Sequence, residues 1–335
     1  MTDLEQRILG RTDRPVSVIG LGTWQLGADW GDVTEEAARE VLDAAADAGV
    51  TFFDTADVYG DGRSEQVIGR FLADRADELD VTVATKMGRR MEQLAENYRS
   101  GHFRAWVDRS RRNLRTDQLH LVQLHCPPSA VIDADATYDA LDALVDEGSI
   151  AAYGVSVETV DQALSAIARP QVASVQIILN AFRLKPLERV LPAAAEAGVG
   201  IIARVPLASG LLSGKYDATT TFAADDHRSY NRDGTAFDVG ETFSGVDYET
   251  GLAAAAEFAA LVREHVPGDV TTAQAALAWV VQQSGVTTVI PGARDADQAR
   301  ANAAAGRLDA LPQELPDGVR RIYDERLREA VHPRW

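Results

Sequence analysis

Four side chains could do chemistry together. Asp54 and Tyr59 lie in TFFDTADVYGDG (51–62), Lys86 ends DVTVATK (80–86) and His125 ends LHLVQLH (119–125). A tyrosine hydroxyl titrates at ~10 in water and is a poor acid at neutral pH. An adjacent ammonium stabilises the phenolate and lowers that value. Asp54 can pair with Lys86 and hold it, and His125 can donate a hydrogen bond to a carbonyl oxygen beside the Tyr59 hydroxyl. Such a group polarises and protonates a carbonyl or, in reverse, deprotonates an alcohol. It contains no nucleophile, metal site or electron source, so the hydride must come from a nicotinamide cofactor. Each residue alone has a plainer reading: Asp54 as a cap, Tyr59 as a loop residue before glycine, His125 as a packing histidine. Their combination at successive segment ends is what argues for chemistry. Asp57 has no partner in this scheme and reads as a loop residue.

The elements that would position these groups alternate along the chain. Short β-branched runs at 16–22, 51–54, 80–86, 119–125, 151–156, 173–177, 200–204 and 287–291 read as strands. Between them, helices are expected near 35–48, 64–74, 103–115, 135–147, 158–167 and 187–198, then 250–264 and 272–284, with a last one near 295–305. Asp32 and Glu35 stand at capping-box spacing for the first helix. Strands alternating with helices form parallel βαβ units, and their continuous apolar character fits burial on both faces. Eight units predict a closed (β/α)8 TIM barrel, one domain over 1–335 with its core at about 8–305 and a helix or tail at 306–335. RTDRP (11–15) reads as a hairpin turn that plugs the barrel's bottom. The segment 216–249, after strand seven, is too long for a plain connection and reads as a functional loop. In a barrel the C-terminal strand ends form one rim, so the ends of strands two, three and four bring the four residues together. The rival doubly wound sheet wants G-x-G-x-x-G after strand one. The run Gly20-Leu21-Gly22-Thr23-Trp24-Gln25-Leu26-Gly27 places its third glycine two positions late and puts Trp24 on the turn.

Composition bounds the partners. The chain has 335 residues, 46% hydrophobic, with a net charge of −18. That charge argues against nucleic-acid binding. One cysteine, Cys126, leaves no internal disulfide and no cysteine-rich metal site, and no metal is expected. The absence of an eighteen-residue apolar run and of a basic-then-apolar leader predicts a soluble cytoplasmic protein. Arginine supplies nearly all the positive charge; the three lysines are Lys86, Lys185 and Lys215. An acidic, lysine-poor surface fits either salt adaptation, where salt screens self-repulsion, or the codon bias of a GC-rich genome.

The stretches VSVIGLGTWQLG, FFDTADVYG, VATKMG, RRNLRTDQLHLVQLH, YGVS, PLASGLLSGKY and IPGARDADQARAN resemble, in order over about 8–305, the successive signatures of the aldo-keto reductases. The resemblance is greatest to the bacterial and potassium-channel β-subunit-like branch. It implies a TIM barrel, NADP(H) bound without a Rossmann domain, and reduction of a small carbonyl substrate, with Asp54, Tyr59, Lys86 and His125 as the catalytic tetrad and Tyr59 as general acid. Gly22, Thr23, Trp24 and Asp54 fall among cofactor-contact positions. Ser156 and Gln176 match the residues that bind the nicotinamide carboxamide; the family's following asparagine is Val157 here. Arg204 stands where the family stacks an aromatic ring under the nicotinamide. Its fixed charge would favour the reduced ring over the cationic oxidised one. Pro206, Leu207, Ser209, Gly210 and Lys215 match the pyrophosphate loop. Gly292, Arg294, Gln298 and Asn302 match the adenosine 2′-phosphate pocket, at a helix N-terminus that favours phosphate. Arg294 points to NADP; Asp295 and Asp297 beside it weaken that field and leave NAD(H) use open. Trp24, and loop residues such as Trp30, Met87 and Tyr230, are candidates to line the pocket. The resemblance also carries two alternatives to a carbonyl reductase: a slow redox-sensing regulatory protein like the channel β subunits, or a dehydrogenase of sugars or polyols.

Overall fold

A computed structural model describes residues 4–27 and 33–335. The expected capping residue Asp32 and pocket residue Trp30 lie outside the described residues. Eight parallel strands run in chain order around a barrel: β1 (Leu21–Gly22), β2 (Phe52–Asp54), β3 (Thr82–Met87), β4 (Leu121–His125), β5 (Tyr153–Ser156), β6 (Val172–Ile178), β7 (Gly200–Arg204) and β8 (Thr288–Val289). Each pairs with the next, and parallel bridges Ile19↔Val289 and Gly22↔Gly292 close β8 onto the β1 segment.

Helices α1 (Glu35–Asp47), α2 (Arg63–Asp74), α3 (Ser100–Leu114), α4 (Asp135–Asp146), α5 (Val160–Ile167) and α6 (Pro186–Ala197) follow the first six strands. Between β7 and β8, after a single short turn of helix at His227–Tyr230, come the two longer helices α7 (Tyr248–His265) and α8 (Thr272–Val281), and α9 (Ala296–Ala305) follows β8. Their starts obey local chemistry. Thr34 caps α1 through Ala37 N, Thr159 with Gln162 and Thr271 with Gln274 form capping boxes for α5 and α8, and Asp295 caps α9. Among the described residues no helix is long and apolar enough to cross a membrane.

The expected first strand, 16–22, divides in two. Pro15–Ser17 pairs antiparallel with Gln6–Ile8 in a hairpin outside the barrel, and only Leu21–Gly22 joins β2. The continuous apolar run hid this break because both halves are buried. The hairpin turn, Gly10–Thr12, reaches the lower ends of β6 and β7: a Cβ on Gly10 would lie 1.9 Å from Ala173 O. Leu9 and Val16 pack with Phe52, Ala84, Leu121, Ile202 and Ile290, which point into the barrel from alternating strand positions. The hairpin is thus the plug that the sequence predicts. Beyond α9, the stretch 306–335 is mostly helical: α10 (Glu314–Ile322), a wider π turn at Tyr323–Leu327, and a last turn at Arg328–Val331.

Leu9 is fully buried at the bottom of the barrel. Leu9→Ala should lower the free energy of unfolding by about 3 kcal/mol, measured by denaturant titration.

Candidate active site

The barrel brings the four titratable residues together as the sequence requires. Asp54, Lys86 and His125 stand at or next to the C-terminal ends of three adjacent strands, all buried. After β2 the chain runs on beside β3 (Thr55 N to Ala84 O, 2.8 Å; Asp57 N to Lys86 O, 3.0 Å). It then turns sharply through Tyr59–Gly62, where Gly60, Asp61 and Gly62 take left-handed conformations. Gly60 lies against Gly27, where a Cβ would fall 2.1 Å from the carbonyl oxygen. That contact fixes the turn and carries Tyr59 back over the rim.

Lys86 Nζ donates to Asp54 Oδ1, to Thr55 O at 2.9 Å and to the Tyr59 hydroxyl at 3.4 Å. The second oxygen of Asp54 accepts from Gln176 Nε2 at 2.8 Å and Gln123 Nε2 at 3.2 Å. Burial is the largest influence and opposes the charge on Lys86, but Asp54 and Tyr59 together outweigh it and hold the ammonium above its ordinary pKa. The Tyr59 phenol shifts opposite to the sequence expectation. Its own burial is the largest influence, and although Lys86 pulls the value down, the sum stands above the ordinary 10. Tyr59 therefore keeps its proton, with the Lys86 ammonium beside its hydroxyl. His125 meets the Tyr59 ring edge-on at 5.9 Å. Burial, then the positive charges of Arg89, Lys86 and Arg204, push its pKa well below the ordinary value. The imidazole is neutral, and its Nδ1 has no partner among the described residues.

Above this group lies a cavity of about 770 Å³. Trp24 stacks near Tyr59 (6.2 Å, 24°) and meets Phe237 edge-on; with Tyr230 these residues form its walls. Met87, a candidate for the pocket, is instead turned into the core, because the strand's period of two places it opposite Lys86.

The candidate cofactor positions form an arc over the ends of β5 to β8 and back to β1. Ser156 closes β5, its Oγ 3.4 Å from Cys126 Sγ. The Gln176 amide nitrogen donates to Asp54, which leaves its carbonyl oxygen for another partner. Gly22 bridges Gly292, and the Thr23 hydroxyl donates to Asp54 O at 2.9 Å. Pro206 and Leu207 lead into the turn Ala208–Ser213, where Val205, Ala208, Ser209 and Gly210 all have positive φ. The Ser209 hydroxyl donates to Glu241 O and accepts from Phe243 N, which ties this turn to the long loop. Lys215 and Arg294 are exposed. Gln298 accepts from Arg294 N, and Asn302 donates to Gly292 O at 3.1 Å. Asp295 is occupied as the α9 cap and Asp297 pairs with Arg300, so both acids that flank Arg294 have other partners.

Arg204 is the largest departure. Its guanidinium binds Glu158 (2.8 Å), Glu241 (3.1 Å) and Val157 O (3.3 Å). Arg89 joins the same carboxylates at 3.2 and 3.8 Å. Burial opposes the charge on Arg204, but Glu158 and Glu241 hold it well above its ordinary pKa. Two carboxylates against two guanidiniums offset the charge on which a preference for the reduced ring would rest. Sequence reasoning missed Arg89, Glu158, Glu241 and Gln123. Gln123 was findable, two residues before His125 on the same strand face; Glu241 had no signal beyond its place in a long loop.

A nicotinamide dinucleotide fits the residues present. Arg204 Nε and Gln25 Oε1, at the two ends of the arc, are buried polar atoms without partners among the described residues. Gln25 packs on Gly292, its amide within 2.2 Å of where a Cβ would stand.

Fold and site together define a barrel of the oxidoreductase kind, with a tyrosine, a lysine, an aspartate and a histidine gathered at one rim. The model of the Aldo/keto reductase family matches residues 18–323, and the chain belongs to that family. The chain is similar in structure to the glycerol dehydrogenase AKR11B4 from Gluconobacter oxydans (TM-score 0.75, 29% identity, 99% of this chain and 97% of that one). In sequence it is 29% identical to the aldo-keto reductase YhdN of Bacillus subtilis, covering 89% of this chain and 87% of the relative. It is 28% identical to a probable voltage-gated potassium channel subunit beta of Oryza sativa, covering 95% of each.

Asp57 proves more than a loop residue. It is fully buried, and both carboxylate oxygens lack partners among the described residues. Burial, then the nearby Glu65 charge, push its pKa up to about 7 against the pull of Arg90 and Arg109. Below ~4 the folded and unfolded chains both hold this proton. Between there and about 7 only the folded chain keeps it, so folding is progressively disfavoured, and above 7 the penalty is complete. Asp57→Asn should therefore stabilise the protein by roughly 2–4 kcal/mol at pH 8 and by almost nothing at pH 4, measured by denaturant unfolding across pH.

Proposed function

We propose that the protein is an NADP(H)-dependent aldo-keto reductase that reduces an aldehyde or ketone to an alcohol, reversibly. The observation that carries this reading is the hydrogen-bonded line Asp54–Lys86–Tyr59, with a neutral His125 edge-on to the phenol beneath an aromatic-walled cavity. NADP(H), when bound, supplies or accepts the hydride. Ser156 and Arg204 would hold its nicotinamide end, the 205–213 turn and Lys215 its phosphates, and Arg294 with Gln298 its adenosine end. His125 orients the carbonyl oxygen. Tyr59 gives that oxygen a proton, and the growing phenolate charge is met by Lys86, itself held by Asp54.

A second reading, oxidation of a polyol, draws support from the polar part of the cavity. Arg89, Gln93 and Glu241 line it with donors and acceptors suited to hydroxyl groups, and a glycerol dehydrogenase is among the similar structures. The same residues serve in reverse, with Tyr59 taking the alcohol proton.

Tyr59→Phe should lower kcat by about 10³ or more while leaving NADPH affinity within about twofold, assayed by turnover of an aldehyde panel and by NADPH fluorescence titration. Turnover near wild type would refute the assignment. Arg294→Ala should weaken NADPH binding about tenfold and NADH binding hardly at all, since only the former carries a 2′-phosphate. Equal losses for both would refute NADP selectivity through Arg294.

A further inference from the structure

Trp335 lies beyond the residues that the family model matches, 18–323, and is nearly buried. The helical stretch before it is anchored: α10 packs on α7 at Gly318, where a Cβ would lie 2.3 Å from Leu261. The indole has three holds. Its face covers the Arg183 guanidinium at 4.2 Å. Its Nε1 donates to Asp238 Oδ2 at 3.1 Å. Its edge fills a notch that only glycines leave open, since a Cβ would lie 2.9 Å from the ring at Gly240 and 2.4 Å at Gly245.

These holds lead to both carboxylates of the charged cluster in the cavity floor. Arg183 is fully buried and donates to Glu158 O, while its Nε and Nη1 have no partners among the described residues. A cation so poorly paired depends on the aromatic face that stands in for water. Glu158, held through its backbone by Arg183, binds Arg204 and Arg89. On the other side, Asp238 accepts from Trp335 and from Gly240 N, and the next residue, Glu241, reaches Arg204 and Arg89 from the opposite direction. Arg89 and Glu241 line the cavity beside Tyr59 and His125.

We propose that Trp335 is a positioning residue for the substrate and cofactor site. By clamping Arg183 and the 238–245 segment together, it keeps Glu158 and Glu241 on the two guanidiniums of the cavity floor. It touches no reacting group, so it acts on binding and leaves proton transfer to Tyr59. Without it, Glu241 moves out with its loop and leaves Arg89 and Arg204 with one carboxylate.

The assay arm of the test rests on the function proposed above; a proteolysis arm does not. Wild type, Trp335→Ala, Trp335→Phe, Gly245→Ala and, as a control in the same stretch, Arg328→Ala are compared for NADPH Kd, and for KM and kcat with a small aromatic aldehyde. Trp335→Ala should raise Kd and KM about tenfold with kcat within about threefold. Trp335→Phe keeps a ring on Arg183 and should recover most of the loss. Gly245→Ala pushes the ring from its notch and should behave like Trp335→Ala, and Arg328→Ala should behave like wild type. Unchanged Kd and KM in both Trp335→Ala and Gly245→Ala would overturn the proposal. So would a parallel loss in Arg328→Ala, or a loss of kcat alone. If Trp335→Ala does not fold, Gly245→Ala and Trp335→Phe decide by the same readouts. If the wild type neither binds NADPH nor turns over, the proposed function fails by itself. The clamp is then read from limited proteolysis within 216–247, which should be at least about fivefold faster in Trp335→Ala, and equal rates would overturn it.

Discussion

The ion pair between Lys86 and Asp54 is the constraint to which the rest of the site answers. An ammonium buried at the end of a barrel strand is tolerable only with a carboxylate against it and further acceptors around it. The structure supplies both, in Asp54 and in Thr55 O. The carboxylate must in turn be satisfied, and amides from β4 and β6, Gln123 and Gln176, close on its second oxygen. Four strands are thus tied through one buried charge pair. The position of Tyr59 follows, because its loop starts from the end of β2 and is hydrogen-bonded along the edge of β3. The phenol stays protonated because burial outweighs the pull of Lys86, so the same interior that makes the lysine costly keeps the proton on the tyrosine.

A second set of buried charges obeys the same rule at the cavity floor. Arg204 and Arg89 could not stand there unpaired, and Glu158 and Glu241 meet them from two sides. Two members come from segments adjoining strands, while Glu241 comes from the long loop after β7. The loop is therefore part of the site's electrostatics as well as its wall, and Ser209 fastens it to the turn that the family resemblance assigns to phosphate. Where an aromatic platform is the family's habit, this chain has a neutralised cluster.

The strand ends were legible because strand periodicity and barrel geometry together dictate which residues reach the rim. Asp54, Lys86 and His125 needed only to be recognised as terminal, and Tyr59 as the loop residue beyond. Legibility failed where an apolar run serves two elements, as at 16–22, half hairpin and half barrel. It failed again for contacts between distant strands: nothing local to Gln176 announces that its amide donates to Asp54. Asp57 shows the converse, a loop acid by pattern that the fold encloses completely.

By itself, then, the sequence determined the barrel, its plug, and the meeting of Asp54, Tyr59, Lys86 and His125 at one rim, because these follow from period-two burial and from ordering along the chain. The tertiary structure alone decided the charge state of Tyr59, the neutral cluster around Arg204, the enclosure of Asp57 and the reach of Trp335 to both carboxylates. Those features arise between groups tens to hundreds of residues apart. Desolvation and pairing depend on the volume they share, and no local pattern records that volume.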